Sequence, residues 1–180
     1  LPWTSVEPTQ GQYNFSYFLR EGARVKAAGK ELLVRINHGG KTCPSWFFAQ
    51  NPPVYQTIDT NIYRATYGEV VTIALWWSPQ YLAASQALIS AFGAALGGIA
   101  DYVAPALNNS FNAEWTIFSG ESNDATELKA LGYTSNVLLD ATMVLTQAYL
   151  AAFPNSLAPV AIGTVPKGLS SDQFKPVKDY

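Results

Sequence analysis

The chain has 180 residues, 48% of them hydrophobic and 13% charged, with eleven Lys and Arg against thirteen Asp and Glu. That length and apolar content allow one sizeable core and give no reason for a second domain. The near-neutral balance holds no run of either sign, so there is no basic stripe for a phosphate backbone and nucleic acid is not expected as a partner.

Charged residues stand at about half their usual share. The polar surface must then be built from Ser, Thr, Asn, Gln and Tyr, a composition that points to an extracellular or cell-surface protein. Cys43 is the single cysteine and reads as a small, semi-buried apolar side chain. Asn14-Phe-Ser and Asn108-Asn-Ser match the N-glycosylation acceptor pattern, which is short enough to recur by chance. No signal peptide is visible in the sequence, which begins at Leu1 rather than Met, and the expectation is a processed product or a piece of a longer chain. Residues 70–100 carry no charge. A membrane span is nevertheless not expected, because Thr72, Ser78, Pro79, Gln80, Ser85, Gln86 and Ser90 interrupt a run that would need about 20 mostly apolar residues.

From Leu1 to Phe15 the punctuation by Pro2, Pro8 and Gly11 predicts an ordered loop. A helix capped by Ser16 follows, with Phe18, Leu19, Gly22 and Val25 at helical spacing and Gly29 as its stop. Residues 31–37 are short and largely apolar, as a strand covered on both faces should be. The loop from His38 to Trp46 leaves its carboxyl end, bringing two glycines, a histidine and a tryptophan close together in sequence. Residues 38–78 as a whole, with Pro52, Pro53, Tyr55, Tyr63, Tyr67, Trp76 and Trp77, read as one long elaborated loop over a binding site. The competing reading of those aromatics is a local minicore.

Ser78 and Pro79 predict the start of the next helix, with Leu82, Gln86, Ile89, Gly93 and Leu96 on one face and Gly97-Gly98 at its end. A buried strand is expected from Ile99, breaking at Asn108, Asn109 and Ser110 before it presents Glu114 beside Trp115. A carboxyl group at the carboxyl end of a strand, shielded by an indole, holds its proton nearer neutral pH than a solvated one. Glu114 is therefore the candidate catalytic acid, against the plainer reading that it ends a loop and faces water, and the cluster from Glu121 to Asp124 is its rival. A helix over about 134–153, stopped by Pro154, and a strand over 157–163 follow, and 164–180 reads as loop. Strands alternating with helices mean right-handed βαβ units and a parallel sheet, so the fold class is α/β. Functional groups of such sheets collect at the carboxyl ends of the strands, which would gather His38, Asn108, Asn109, Glu114 and Thr164 on one edge.

Trp3-Thr-Ser-Val-Glu7-Pro8-Thr-Gln-Gly11-Gln-Tyr13-Asn-Phe15, a helix ending in Ala27-Ala-Gly29-Lys30, Leu33-Val-Arg35-Ile and Pro44-Ser-Trp46 appear in that order. Together they resemble the second-to-third-strand region of (β/α)8-barrel glycoside hydrolases, in the β-galactosidase-like branch of the retaining clan whose acid/base follows strand four. The resemblance implies a TIM (β/α)8 barrel that is incomplete in this chain, with 1–180 forming a single partial barrel domain of about strands two to five. It also implies that Glu114 protonates the leaving glycosidic oxygen and later deprotonates water. Retention needs a second carboxylate about 5 Å away as nucleophile, and the resemblance places it on strand seven, outside this sequence. A whole barrel takes about 250 residues, so missing chain segments or self-association would have to complete it. Two features depart from the clan pattern. Ala113 separates Asn112 from Glu114, where Asn directly precedes the acid/base, and Pro105 removes a ladder hydrogen bond from the proposed strand.

Carbohydrate is the expected partner, and the candidate substrate-binding residues are His38, Trp46, Asn108, Asn109, Asn112 and Trp115. An indole face packs on the apolar face of a pyranose, and amides and imidazole hydrogen-bond its hydroxyls. Trp76 and Trp77 suit stacking too, although one or two of the tryptophans must be core. A hydrogen-bonded structural role for His38 is the alternative. Glu7 is expected to order its loop by accepting backbone hydrogen bonds, and Arg35 to pair with a buried carboxylate. One His and one Cys cannot build a usual zinc site, although carboxylates could hold calcium, and no glycine-rich phosphate loop follows a strand. A Cys43/His38 nucleophile pair lacks a third member. Neither cofactor nor metal is expected. The second functional reading is a non-catalytic carbohydrate-binding or extracellular structural protein with a barrel-derived fold.

Overall fold

The computed structural model describes residues 1–59, 65–105 and 124–156, together with Ile62. α1 (Trp3–Val6) is a single turn after Pro2, and α2 (Ser16–Ala27) follows the Glu-Pro loop. Ser16 is the first helical residue of α2 and not its cap; its backbone N–H is taken by Asn14 Oδ1 at 3.1 Å. Gly29, at φ 66°, adopts the left-handed conformation that ends such a helix. Next come β1 (Leu33–Val34), a 3-10 turn at Gly40–Thr42 and α3 (Ser45–Phe48). β2 (Val54–Ile58) and β3 (Val70–Ala74) form an antiparallel hairpin with Tyr55 opposite Ile73. α4 (Pro79–Leu96) opens with Ser78 Oγ accepting the Tyr81 N–H at 3.3 Å and with proline where no N–H is needed. β4 (Tyr102–Val103), α5 (Asp124–Ala130) and α6 (Ser135–Ala152) complete the order, and Thr134 Oγ1 caps α6 through the Val137 N–H at 3.1 Å.

The described residues do not form the expected (β/α)8 barrel. Among the described residues there are six α-helices and four short strands in two two-stranded sheets, and no barrel closes. β1 pairs with β4 in parallel, Leu33 opposite Tyr102. Beyond β1, Asn37 bonds to the N-terminal segment: its N–H donates to Leu1 O and its carbonyl accepts from Trp3 N, both at 2.8 Å. The parallel pairing stays short for local reasons. Ile99 and Ala100, read as strand, bond back to Leu96 O and belong to the turn that ends α4. Asp101 Oδ2 then takes the Leu32 N–H at 2.6 Å and the Lys26 ammonium at 2.5 Å, anchoring the chain before it can extend. Pro105, lacking an N–H, cannot continue the ladder. The most regular sheet is instead the β2–β3 hairpin, inside residues read as loop. The strand expected over 157–163 lies outside the described residues.

The core is one cluster that joins Trp3, Phe15, Phe18, Phe47, Tyr81, Phe92 and Phe153 to Val34, Ile36, Leu88, Leu138 and Leu145. α4 buries Tyr81, Ser85, Leu88, Ile89, Phe92, Gly93 and Leu96, while Leu82 is half-buried and Gln86 exposed. Ile89, Gly93 and Leu96 are thus buried as expected, while in the first half of the helix Tyr81 and Ser85 take the inward places expected of Leu82 and Gln86, where alanines on the neighbouring positions weaken the apolar periodicity. α4 packs on α6 through Gly93, where a Cβ would lie 2.5 Å from the Ala152 Cβ. No helix among the described residues is long and apolar enough to cross a membrane.

Candidate functional site

The site is built on Glu7. α1 places Trp3 one turn before it, and the Trp3 indole donates from Nε1 to Glu7 Oε2 at 2.7 Å. The loop then turns at Gly11, whose φ of 74° is one that a side chain disfavours, and the Gly11 N–H donates to Glu7 Oε1 at 2.8 Å. Tyr13 also hydrogen-bonds to Glu7; burial first, then the Glu7 charge and that bond, push its phenol above the ordinary value. The Glu7 carbonyl accepts the Trp46 Nε1–H at 3.0 Å. Trp3, Glu7, Gly11 and Tyr13 are thus spaced as they are because one buried carboxylate, 2% exposed, gathers the other three. This is the ordering role expected of Glu7 from its sequence, and it extends to two indoles.

Against this loop lies a cleft of about 450 Å³ lined by Glu7, Gln10, Gly11, Tyr13, Trp46, Gln50, Gln80, Ala83, Ala84 and Ala87. α3 supplies Trp46 and leads into Gln50. The first half of α4 supplies Gln80 and an alanine wall that leaves room beside the rings. Trp46 is half-buried, its ring edge-on to Trp3 with centroids 6.1 Å apart. Tyr13 stacks on Phe15 at an interplanar angle of 6°. Gln50 Nε2 donates to Gln10 Oε1 at 3.2 Å. Beside the Glu7 carboxylate and the alanines, the described lining holds two aromatic side chains, three neutral amides and no Lys or Arg, a combination that binds flat apolar faces edged with hydroxyls.

Of the seven residues expected at the site, the structure describes two. Trp46 lines the cleft, whereas Glu114, Asn108, Asn109, Asn112 and Trp115 lie outside the described residues, as do Thr164 and Glu121. His38 is fully buried. Its Nε2 lies 2.9 Å from the Tyr149 hydroxyl, and its backbone carbonyl accepts from the Tyr81 hydroxyl at 2.5 Å. His38 thus ties the end of the β1 segment to α4 through its carbonyl and to α6 through its imidazole, and it is not among the residues that line the cleft. Burial lowers the His38 pKa from 6.5 to about 4. Its proton affinity is therefore higher in the unfolded chain than in the folded one. The stability its neutral burial contributes is complete above about pH 6.5 and falls as pH drops towards 4, by about 3 kcal/mol in all. Urea denaturation between pH 7 and pH 4 should show this loss, and His38→Gln should flatten it; parallel profiles for the two proteins would contradict it.

Three further side chains bear on chemistry. Burial pushes the Cys43 thiol up, away from the nucleophilic thiolate. Arg35 Nε is buried with no hydrogen-bond partner, so the expected carboxylate pairing is not found among the described residues. Asp59, 1% exposed, accepts from Lys41 Nζ at 3.1 Å and from Thr66 Oγ1 at 2.6 Å, fastening the Gly40–Thr42 turn to the hairpin. No group of three His, Cys, Asp or Glu side chains able to hold a metal ion occurs among the described residues. Sequence reading did not single out Gln10, Tyr13, Gln50 or Gln80 as site residues. The first two could have been found from their place inside the Trp3–Phe15 motif, whereas Gln50 and Gln80 carry no local signal and meet the loop only through tertiary packing.

No protein-family model matches the chain, and no curated protein matches it.

Proposed function

We propose that this protein binds carbohydrate in the cleft beside the Glu7 loop, with the Trp46 indole as the stacking surface and Gln10, Gln50 and Gln80 as the hydroxyl-binding groups. One observation carries the reading: Trp46 is held by its N–H on the Glu7 carbonyl at 3.0 Å while its ring lines a cleft of neutral amides. A ring fixed before binding loses little conformational freedom on meeting a ligand, so its contact area converts efficiently into affinity. Anionic ligands such as nucleotides and sugar phosphates fit poorly, because the described lining offers them no cation.

The test is a titration with neutral oligosaccharides followed by calorimetry. Trp46→Ala should weaken binding at least about tenfold, as removal of a central aromatic anchor does; unchanged affinity in a folded variant would remove the cleft from the account. The Trp3–Phe15 motif supports a hydrolytic form of the same reading, in which Glu114 is the general acid/base. Glu114→Gln should then abolish turnover of unactivated glycosides while leaving the cleft's affinity intact, and retained turnover would reject that role.

A further inference from the structure

We infer that the cleft selects uncharged sugars, holding a vicinal diol on the Gln10–Gln50 amide pair and rejecting uronic acids through the Glu7 carboxylate. This rests on the carbohydrate reading above and narrows it to a ligand class.

The pair is asymmetric in what it leaves open. Gln50 Nε2 donates to Gln10 Oε1 at 3.2 Å, on the exposed side of the cleft. In that bond Gln10 uses its carbonyl and Gln50 its NH2 group, so the Gln10 NH2 group as donor and the Gln50 carbonyl as acceptor take no part in it. A hydroxyl both donates and accepts, so two adjacent ring hydroxyls satisfy both groups at once. A carboxylate only accepts, so placed here it can engage the Gln10 NH2 group but not the Gln50 carbonyl, which is left to water.

Charge acts in the same direction. Among the described residues of the lining, Glu7 is the only one with a formally charged side chain. Its carboxylate is held by neutral donors, the Trp3 indole, the Gly11 amide and the Tyr13 hydroxyl. None of these cancels its charge, and no salt bridge to Glu7 occurs among the described residues. A second carboxylate brought into so small a volume meets like-charge repulsion that salt screens only in part.

The experiment uses the full chain and one matched set of ligands. Neutral glucose, galactose and mannose oligomers are titrated first. The tightest binder is then oxidised at its C6 hydroxyls to the uronate, and that uronate is methyl-esterified to remove the charge. At about 10 mM salt, where the Debye length is about 30 Å, the uronate should bind at least about tenfold more weakly than its parent. The ester should recover most of the loss, and Gln50→Met should weaken the parent and the ester alike. Equal affinity for parent and uronate overturns the inference while leaving carbohydrate binding in place. A uronate whose weakness persists in the ester also overturns it, since shape and not charge then discriminates. Binding of none of the neutral oligomers removes the carbohydrate reading itself, and this inference with it.

Discussion

Glu7→Ala is expected to lower stability by about 3–5 kcal/mol, the range in which loss of a buried polar hub falls. The carboxylate accepts from Trp3 Nε1 at 2.7 Å and from the Gly11 N–H at 2.8 Å, and Tyr13 bonds to it as well. Deleting it leaves a fully buried indole N–H without an acceptor and removes the bond that closes the loop at Gly11. Each orphaned buried donor costs about 1–3 kcal/mol, beyond the cavity left by the lost methylenes. Glu7→Gln should fall between the two proteins, because it keeps one acceptor oxygen and turns the other position into a donor that faces a donor. Urea denaturation by circular dichroism measures both variants. A loss below about 1 kcal/mol for Glu7→Ala, the size of an ordinary surface change, would show that the three donors find other partners and that Glu7 is not the hub.

Gly93→Ala carries the second large effect, and its sign is the informative part. In an open helix the change would stabilise by up to about 1 kcal/mol, because alanine is the better helix former. Here the new methyl group would lie 2.5 Å from both the Cβ and the carbonyl oxygen of Ala152 on α6. The helices must move apart, at a cost of about 1–3 kcal/mol typical of overpacking. Gly93→Val should cost more. Adding Ala152→Gly to Gly93→Ala should restore only part of the loss, because the Ala152 carbonyl belongs to the backbone and stays. A thermal melt in which Gly93→Ala gains stability would mean that α4 and α6 are not packed as closely as this.

The sequence was most legible where a local rule acts on a local group. Ser78 and Pro79 open α4, Gly29 closes α2 and Pro154 follows α6, because caps and stops need only neighbouring backbone. Glu7 was readable as an organiser of its loop because the partners of its carboxylate lie within six residues of it. The barrel was not safely legible. An apolar run such as 32–36 or the one that begins at Ile99 signals packing on the core, and whether its backbone extends or turns depends on distant groups such as Asp101, which binds Leu32 and Lys26 from across the chain. The β2–β3 hairpin was hidden for a related reason: Pro52-Pro53 and the long connection from Asp59 to Glu69 look like loop, while the pairing of Tyr55 with Ile73 is set by tertiary contact. His38 showed as a residue of interest, but nothing local distinguishes an imidazole that faces a ligand from one closed in by Tyr81 and Tyr149.

The most direct measurement of the central claim is a two-dimensional NMR titration of the labelled protein with a neutral oligosaccharide, read at the indole and side-chain amide resonances. Binding in the cleft predicts that the Trp46 indole signal and the Gln10, Gln50 and Gln80 amide signals shift together and saturate at one ligand concentration, while the buried Trp76 indole signal stays in place. Shifts confined to other residues, with the Trp46 and glutamine signals unmoved at saturation, would contradict it.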